Sequence, residues 1–219
     1  MTLRKQFELE LDKIKQSIVQ LATGAEDLFV RAVEALYNQD INEAKQVIDD
    51  DKRLDKIDTD VNNMVILLIA KQQPVAKDLR KLISYIRISS DLERMADNAK
   101  NIAKTTIHLG ENNQIAIHPA INKMYEQAIE MIHLLIEAFK NEDIELAKKL
   151  ADKDNVLDSL YGKVVKEMLE EKSTNQHEKQ YIIQMVLSVR YIERIGDHAT
   201  NISENIIYLV KGVTLDLNK

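Results

Sequence analysis

Apolar residues recur at intervals of three and four along most of the chain, which is the spacing that places them on one face of an α-helix. The first such segment runs from about residue 3 to 37 and is followed by the polar turn Asn38-Gln39-Asp40, in which Asp40 can cap the next helix. The second segment should end near Gln72-Gln73, because Pro74 disfavours helical geometry in the residue before it. We expect Pro74 itself to lie in the first turn of a third helix.

The helical pattern starts again after residues 110–114, whose Gly-Glu-Asn-Asn-Gln sequence is the most linker-like in the chain. A fourth helix is predicted from about Ala120 to Phe139, a fifth ends near Lys172, and a sixth continues to about Val210. The sequence therefore predicts an all-α protein with six long helices. We expect two tandem three-helix up-down bundles, over residues 1–112 and 113–219.

An internal repeat relates the two halves of the chain. Residues 34–55 align with residues 137–158 at an offset of 103, and 11 of the 22 pairs are identical. Residues 92–102 align with residues 192–202 at an offset of 100, so three residues are lost near the turns around Gln72 and Ser173. Because turns tolerate such deletions, the pattern indicates one three-helix unit duplicated in tandem.

Paired carboxylates occupy matching positions in the two repeats. Each pair is spaced by four residues, so its members lie one turn apart on the same face of a helix. One pair lies on the second helix of each repeat and one on the third, where an asparagine follows a further turn along. The residues of the first repeat are Asp51, Asp55, Glu93, Asp97 and Asn101, and those of the second are Asp154, Asp158, Glu193, Asp197 and Asn201.

Such carboxylates favour a metal site over a solvated helix face. Like charges on neighbouring helices raise one another's pKa unless a cation lies among them. Carboxylates that project from adjacent helices are a common way to bind divalent metals through oxygen ligands. The alternative is that Lys and Arg at helical spacing balance solvated acidic faces. Oxygen ligands would accept Mg, Ca, Mn, Fe or Zn, so the sequence leaves the metal open.

The two repeats differ in their balance of charge. Lys100 and Lys104 follow Glu93 and Asp97 along the same face of the helix, and could supply an internal counter-charge. Thr200 and Glu204 occupy the matching positions in the second repeat. We therefore predict stronger metal binding by the C-terminal repeat.

Composition excludes several other classes of protein. The formal net charge of −6 argues against direct binding of nucleic acid, which depends on cationic side chains. The chain has no cysteine, and its longest strongly apolar run, residues 64–70, is far shorter than the roughly 20 residues that span a bilayer. We expect a soluble, cytoplasmic protein that meets a membrane only peripherally, through partners.

The case for an enzyme is weak. Glu130 and His133 have the Glu-x-x-His spacing of di-iron bundles, but that chemistry needs two copies of the spacing. His198 could be a peripheral metal ligand or a phosphoryl acceptor, although a surface polar role is favoured. No phosphate-cradling glycine loop and no nucleophile elbow is present. A carboxylate-bridged metalloenzyme or a phosphotransfer protein remains the alternative to a protein without catalytic activity.

The repeated segments resemble the PhoU family of regulators of bacterial phosphate-specific transport. The resemblance covers almost the whole chain, including residues 73–80 (Gln-Pro-Val-Ala-Lys-Asp-Leu-Arg), and is strongest at residues 193–202 (Glu-Arg-Ile-Gly-Asp-His-Ala-Thr-Asn-Ile). It implies a six-helix cytoplasmic protein, commonly a homodimer, that is not an enzyme. Some members carry multinuclear clusters of divalent or trivalent metal ions on acidic segments like these.

The resemblance also implies a function and a set of ligands. PhoU-like proteins are thought to connect the ATPase subunit of the phosphate importer with the sensor histidine kinase of the phosphate response, and to repress both when phosphate is plentiful. The ten residues given above would form two metal sites, with both asparagines as accessories. The chain departs from the family at Met95-Ala96, Asn98 and Lys104, which are usually Ile-Gly, His and Glu. These departures weaken the N-terminal site.

Overall fold

The computed structural model describes residues 3–110, 117–170 and 176–217, which form six helices. They are α1 (Leu3–Asn38), α2 (Ile41–Gln72), α3 (Ala76–Leu109), α4 (Ala120–Asn141), α5 (Ile144–Glu170) and α6 (Gln176–Lys211). The predicted all-α fold is confirmed. The proposed boundary between residues 112 and 113, residues 111–114 of the predicted linker and the predicted end of the fifth helix near Lys172 lie outside the described residues.

Turn residues separate the helices largely as predicted. The Asp40 side chain accepts a hydrogen bond of 3.0 Å from the backbone N–H of Glu43 and so caps the start of α2. The matching Asp143 accepts one of 2.8 Å from Glu145 at the start of α5. The prediction for Pro74 was wrong, because α3 begins at Ala76 and Val75 is its extended N-cap residue.

The helices form two three-helix bundles that pack side by side. Helices α1, α2 and α3 pack against one another, as do α4, α5 and α6, and the bundles meet mainly through α3 and α6. These two helices are antiparallel, since Arg87 lies over the ring of Tyr208 while Thr105 hydrogen-bonds Ser188 further along. One continuous apolar core therefore runs through both bundles and fixes the acidic faces of α2, α3, α5 and α6.

Candidate metal centre

Three carboxylates from α5 and α6 converge at one place in the C-terminal bundle. Asp154, Asp158 and Asp197 each offer an oxygen atom within 4.8 Å of the others'. The side chain of Asp154 is buried, Asp197 is half-buried and Asp158 is exposed. The spacing of four residues on α5 places two of them one turn apart, and the packing of α5 on α6 supplies the third. The cluster is therefore open on one side, where an ion can enter.

Burial leaves oxygen atoms in this cluster without a partner. Asp154 is 6% exposed and Glu193 is 7% exposed, yet Asp154 Oδ1 and Glu193 Oε2 accept no hydrogen bond. Burial raises the pKa of Asp154 to about 6 and that of Glu193 to about 7, and the neighbouring carboxylates add to both shifts. The pKa of Asp197 is raised as well, chiefly by burial. A cation among these groups would give the buried oxygens a partner and would relieve the repulsion between the carboxylates.

Arg190 binds one edge of the cluster and was missed in the sequence. Its Nη1 donates a hydrogen bond of 2.6 Å to Glu193 Oε1, and its guanidinium lies over the ring of Tyr161, 5.6 Å from the centroid. The charge of Arg190 lowers the pKa of Glu193, against the larger effect of burial. The i, i+3 spacing of the pair could have signalled the contact. Glu193 is therefore not one of the three converging aspartates but a neighbour of them, bound by Arg190.

The N-terminal cluster has a lysine in its interior. Lys100 Nζ donates a hydrogen bond of 2.5 Å to Asp51 Oδ2 and a second one to Asp97. Burial lowers the pKa of Lys100, but the two carboxylates together outweigh it, so the pKa is raised. The pKa of Asp51 is still raised, because burial outweighs the effect of Lys100, and that of Glu93 is raised to about 7, mainly by burial. Asp55 is exposed and adds to both shifts.

The two asparagines predicted as accessory ligands have different surroundings. Asn101 Oδ1 accepts a hydrogen bond of 3.0 Å from Lys104, which makes no ion pair with the carboxylates of the described residues. Asn201 lines a separate polar cleft of about 390 Å³ between α3 and α6. Glu204 accepts a hydrogen bond of 2.7 Å from the backbone N–H of Leu217, so the chain after α6 folds back onto this helix.

The histidines considered in the sequence are engaged elsewhere. The expectation that His198 is a surface residue was wrong, because it is 8% exposed and its Nδ1 lies 3.1 Å from Asp91 Oδ1 on α3. His133 Nε2 lies 2.7 Å from Glu26 Oε1, and Glu130 pairs with Lys153 at 2.6 Å. The Glu-x-x-His spacing therefore brings no pair of ligands together.

Comparison with known proteins identifies the family. The PhoU domain profile matches residues 18–106 and again residues 121–206, one match in each bundle. The chain belongs to the PhoU family. It is 34% identical over 216 residues to the phosphate-specific transport system accessory protein PhoU homolog of Clostridium acetobutylicum, which covers 98% of this chain and 99% of that protein. The corresponding PhoU of Escherichia coli K12 is 29% identical over 207 residues, 94% of this chain and 86% of its own.

Solved structures have the same fold. The crystal structure of the phosphate transport system regulatory protein PhoU from Streptococcus pneumoniae superposes with a TM-score of 0.86 at 28% identity, and the match covers 96% of this chain and 99% of that one. The crystal structure of PhoU from Pseudomonas aeruginosa also superposes with a TM-score of 0.86, at 29% identity. The match covers 94% of this chain and 100% of that chain. Among the described helices of this chain, none combines the length and apolar character that crossing a bilayer requires.

The C-terminal cluster fits the metal ions that the family resemblance implies. Its donors are carboxylate oxygens, which suit hard cations, and the buried Asp154 Oδ1 is an acceptor without a donor. In the N-terminal cluster, Oδ2 of the buried Asp51 accepts a hydrogen bond from the ammonium group of Lys100, while its Oδ1 has no hydrogen-bond partner. The donor set of the C-terminal bundle therefore fits a metal, whereas in the N-terminal bundle the ammonium group of Lys100 already binds two of the carboxylates.

Proposed function

We propose that this chain is a cytoplasmic accessory regulator of phosphate-specific transport that binds metal in its C-terminal bundle. The observation that carries the proposal is the convergence of Asp154, Asp158 and Asp197 around an unpartnered buried oxygen, in a chain of the PhoU family. Asp154 and Asp158 on α5 and Asp197 on α6 would bind the ion, and Glu193 would lie beside it. The bound cation would neutralise the carboxylates and fix the position of α5 against α6.

In this proposal the protein is an adaptor without catalytic activity. The relatives are named as accessory or regulatory proteins of phosphate transport, which supports a role beside the transporter. We propose that the chain, as a homodimer, contacts the ATPase subunit of the phosphate importer and the sensor histidine kinase of the phosphate response. It would repress the kinase and restrain uptake when phosphate is plentiful, and would meet the membrane only through these partners.

Deletion of the gene tests the regulatory role. In a strain without a second copy, deletion should release expression of phosphate-starvation genes in phosphate-rich medium, and the wild-type gene should restore repression. A complementing copy with Asp154→Asn and Asp197→Asn should restore repression less well, at equal protein level. Normal repression in the deletion strain would contradict the regulatory role, whereas full restoration by the double variant would contradict a role for the metal.

A further inference from the structure

Lys100 places a positive charge inside the N-terminal carboxylate cluster. Its ammonium group bridges two helices, since it contacts Asp51 on α2 and Asp97 on its own helix α3. Asp51 is 2% exposed, so the bond to its Oδ2 lies where water screens charge poorly, and only its Oδ1 is left without a partner. Lysine offers three donors and carries its charge on a flexible chain, which allows Nζ to reach between the two carboxylates. The two helices are thus held together by a cation that belongs to the chain.

The C-terminal bundle has a hydroxyl group at the matching position. Thr200 corresponds to Lys100 at the offset of 100, and its buried Oγ1 makes no hydrogen bond. It is close enough to lower the pKa of Asp154, but it does not meet the geometry of a hydrogen bond. Arg190 binds Glu193 at the edge of the cluster and, among the described residues, makes no ion pair with Asp154. Lys100 therefore binds the buried aspartate of α2 in one bundle, and among the described residues no cationic side chain binds the matching Asp154 in the other.

We propose that Lys100 takes the place of a metal ion in the N-terminal bundle, so that metal binding is confined to the C-terminal bundle. The part that concerns the C-terminal bundle rests on the proposed function, whereas the role of Lys100 does not. An ion that entered the N-terminal cluster would meet the repulsion of the ammonium group or would have to displace it from Asp51. Displacement would leave a partly buried charge without its partner, which is strongly unfavourable.

Two helices report separately on the two bundles. Within the described residues, α2 packs against α1 and α3, and α5 packs against α4 and α6, so neither contacts the other bundle. Hydrogen–deuterium exchange of the wild-type protein can therefore be compared in Mn²⁺ and in EDTA. We expect Mn²⁺ to slow exchange in α5 around Asp154 and to leave α2 around Asp51 unchanged. Protection of α2 by Mn²⁺ would overturn the inference, while no response in α5 would count against the proposed function alone.

Substitution of Lys100 tests its role without dependence on the C-terminal site. In a background with Asp154→Asn and Asp197→Asn, Lys100→Thr should raise the affinity for Mn²⁺ at least tenfold, measured by titration calorimetry and elemental analysis. Lys104→Thr in the same background is the matched control, because Lys104 lies one turn along α3 and contacts Asn101 rather than a carboxylate. Equal affinity in the two variants, or one tightly bound ion in the background protein itself, would overturn the inference.

Thermal melting covers the case in which Lys100→Thr does not fold without metal. In EDTA this variant should melt about 10 °C lower than the background protein, because the buried Asp51 loses its partner. Addition of Mn²⁺ should recover most of that loss. A further change of Asp51→Asn should recover it in EDTA and abolish the response to Mn²⁺. A loss that neither Mn²⁺ nor Asp51→Asn recovers would overturn the inference.

Discussion

Gly196 lets α6 approach the carboxylate of Asp154 closely. A Cβ atom at residue 196 would lie 2.9 Å from Asp154 Oδ1 and 2.5 Å from Leu157 Cδ2, both nearer than such atoms normally come. The contact brings the buried, unpartnered oxygen of Asp154 against the helix that carries Asp197. The matching residue in the N-terminal bundle is Ala96, beside the cluster that Lys100 occupies. Gly196 therefore belongs to the structure of the candidate metal centre.

Gly196→Ala should weaken metal binding. The added methyl group displaces Asp154 or Leu157 by several tenths of an ångström, so the three aspartates no longer converge as they do in the wild type. Titration with Mn²⁺ should show a loss of affinity of about tenfold, equivalent to about 1.4 kcal/mol.

Gly162→Ala on α5 is the control, since a Cβ there meets nothing within 4 Å. It should stabilise the protein by up to about 1 kcal/mol and leave the affinity unchanged. Equal affinities for both variants would contradict the importance of the close approach.

Asp154→Asn should stabilise the metal-free protein while it removes stabilisation by metal. The substitution replaces a buried carboxylate that lacks a full set of partners with a neutral amide of similar shape. Urea unfolding in EDTA should show a gain of about 1–2 kcal/mol in the free energy of unfolding. Asp152→Asn, at an exposed position of the same helix, should change it by less than about 0.5 kcal/mol. A metal-free protein destabilised by Asp154→Asn would mean that the carboxylate already has a compensating partner.

The stability of the metal-free protein should fall as pH rises from 5 to 8. Folding raises the pKa of Asp154 from 3.8 to about 6 and that of Glu193 from 4.5 to about 7. The folded state therefore binds more protons than the unfolded state in this range. The stability that protonation of these two carboxyl groups contributes is complete below pH 4 and is lost as pH passes 6 to 7. Urea unfolding in EDTA at several pH values measures the slope.

The pH dependence has an internal control. Glu193→Gln removes one of the carboxyl groups whose pKa is raised on folding, so stability should fall less steeply with pH and the protein at pH 8 should be more stable. Saturating Mn²⁺ should reverse the trend in the wild type, because the ion competes with protons for the same oxygens. Stability that rises steadily from pH 5 to 8 in EDTA would show that these carboxylates are not held in the unfavourable environment described above.

Thr105 and Ser188 should contribute to the interface between the bundles. Their hydroxyl oxygens lie 2.8 Å apart, and both side chains are buried between α3 and α6. Thr105→Val and Ser188→Ala should each cost about 1 kcal/mol, since each removes the hydrogen bond between the helices and leaves the other hydroxyl with only its bond to a backbone carbonyl of its own helix. The double variant should lose less than the sum of the two, measured by urea unfolding at a fixed metal concentration. Additive losses would indicate that the two hydroxyl groups do not interact.

The sequence predicted the fold well because its signals are local. Apolar spacing, the cap Asp40 and the internal repeat all depend on residues close to one another or on self-similarity. The start of α3 was misplaced because a proline fits both the first turn of a helix and the connection that precedes it. In the structure Pro74 lies in that connection.

The candidate site was only partly predictable, since its details depend on contacts between helices. The pairing of carboxylates on α5 and α6 followed from the repeat, as did a counter-charge near Asp97. The burial of His198 depends on Asp91 in the other bundle, and no pattern within one repeat contains that contact. Arg190 has no charged counterpart in the first repeat, where the matching residue is Ser90. The comparison of repeats therefore did not reveal it.

The metal content of tag-free protein tests the central claim most directly. Protein purified without chelators and dialysed against metal-free buffer should be analysed by inductively coupled plasma mass spectrometry beside the variant with Asp154→Asn and Asp197→Asn. We predict at least one tightly bound divalent or trivalent ion per wild-type chain and none in the variant, with both proteins folded. Wild-type protein that retains no metal, and whose melting temperature is the same in Mn²⁺ and EDTA, would contradict the account.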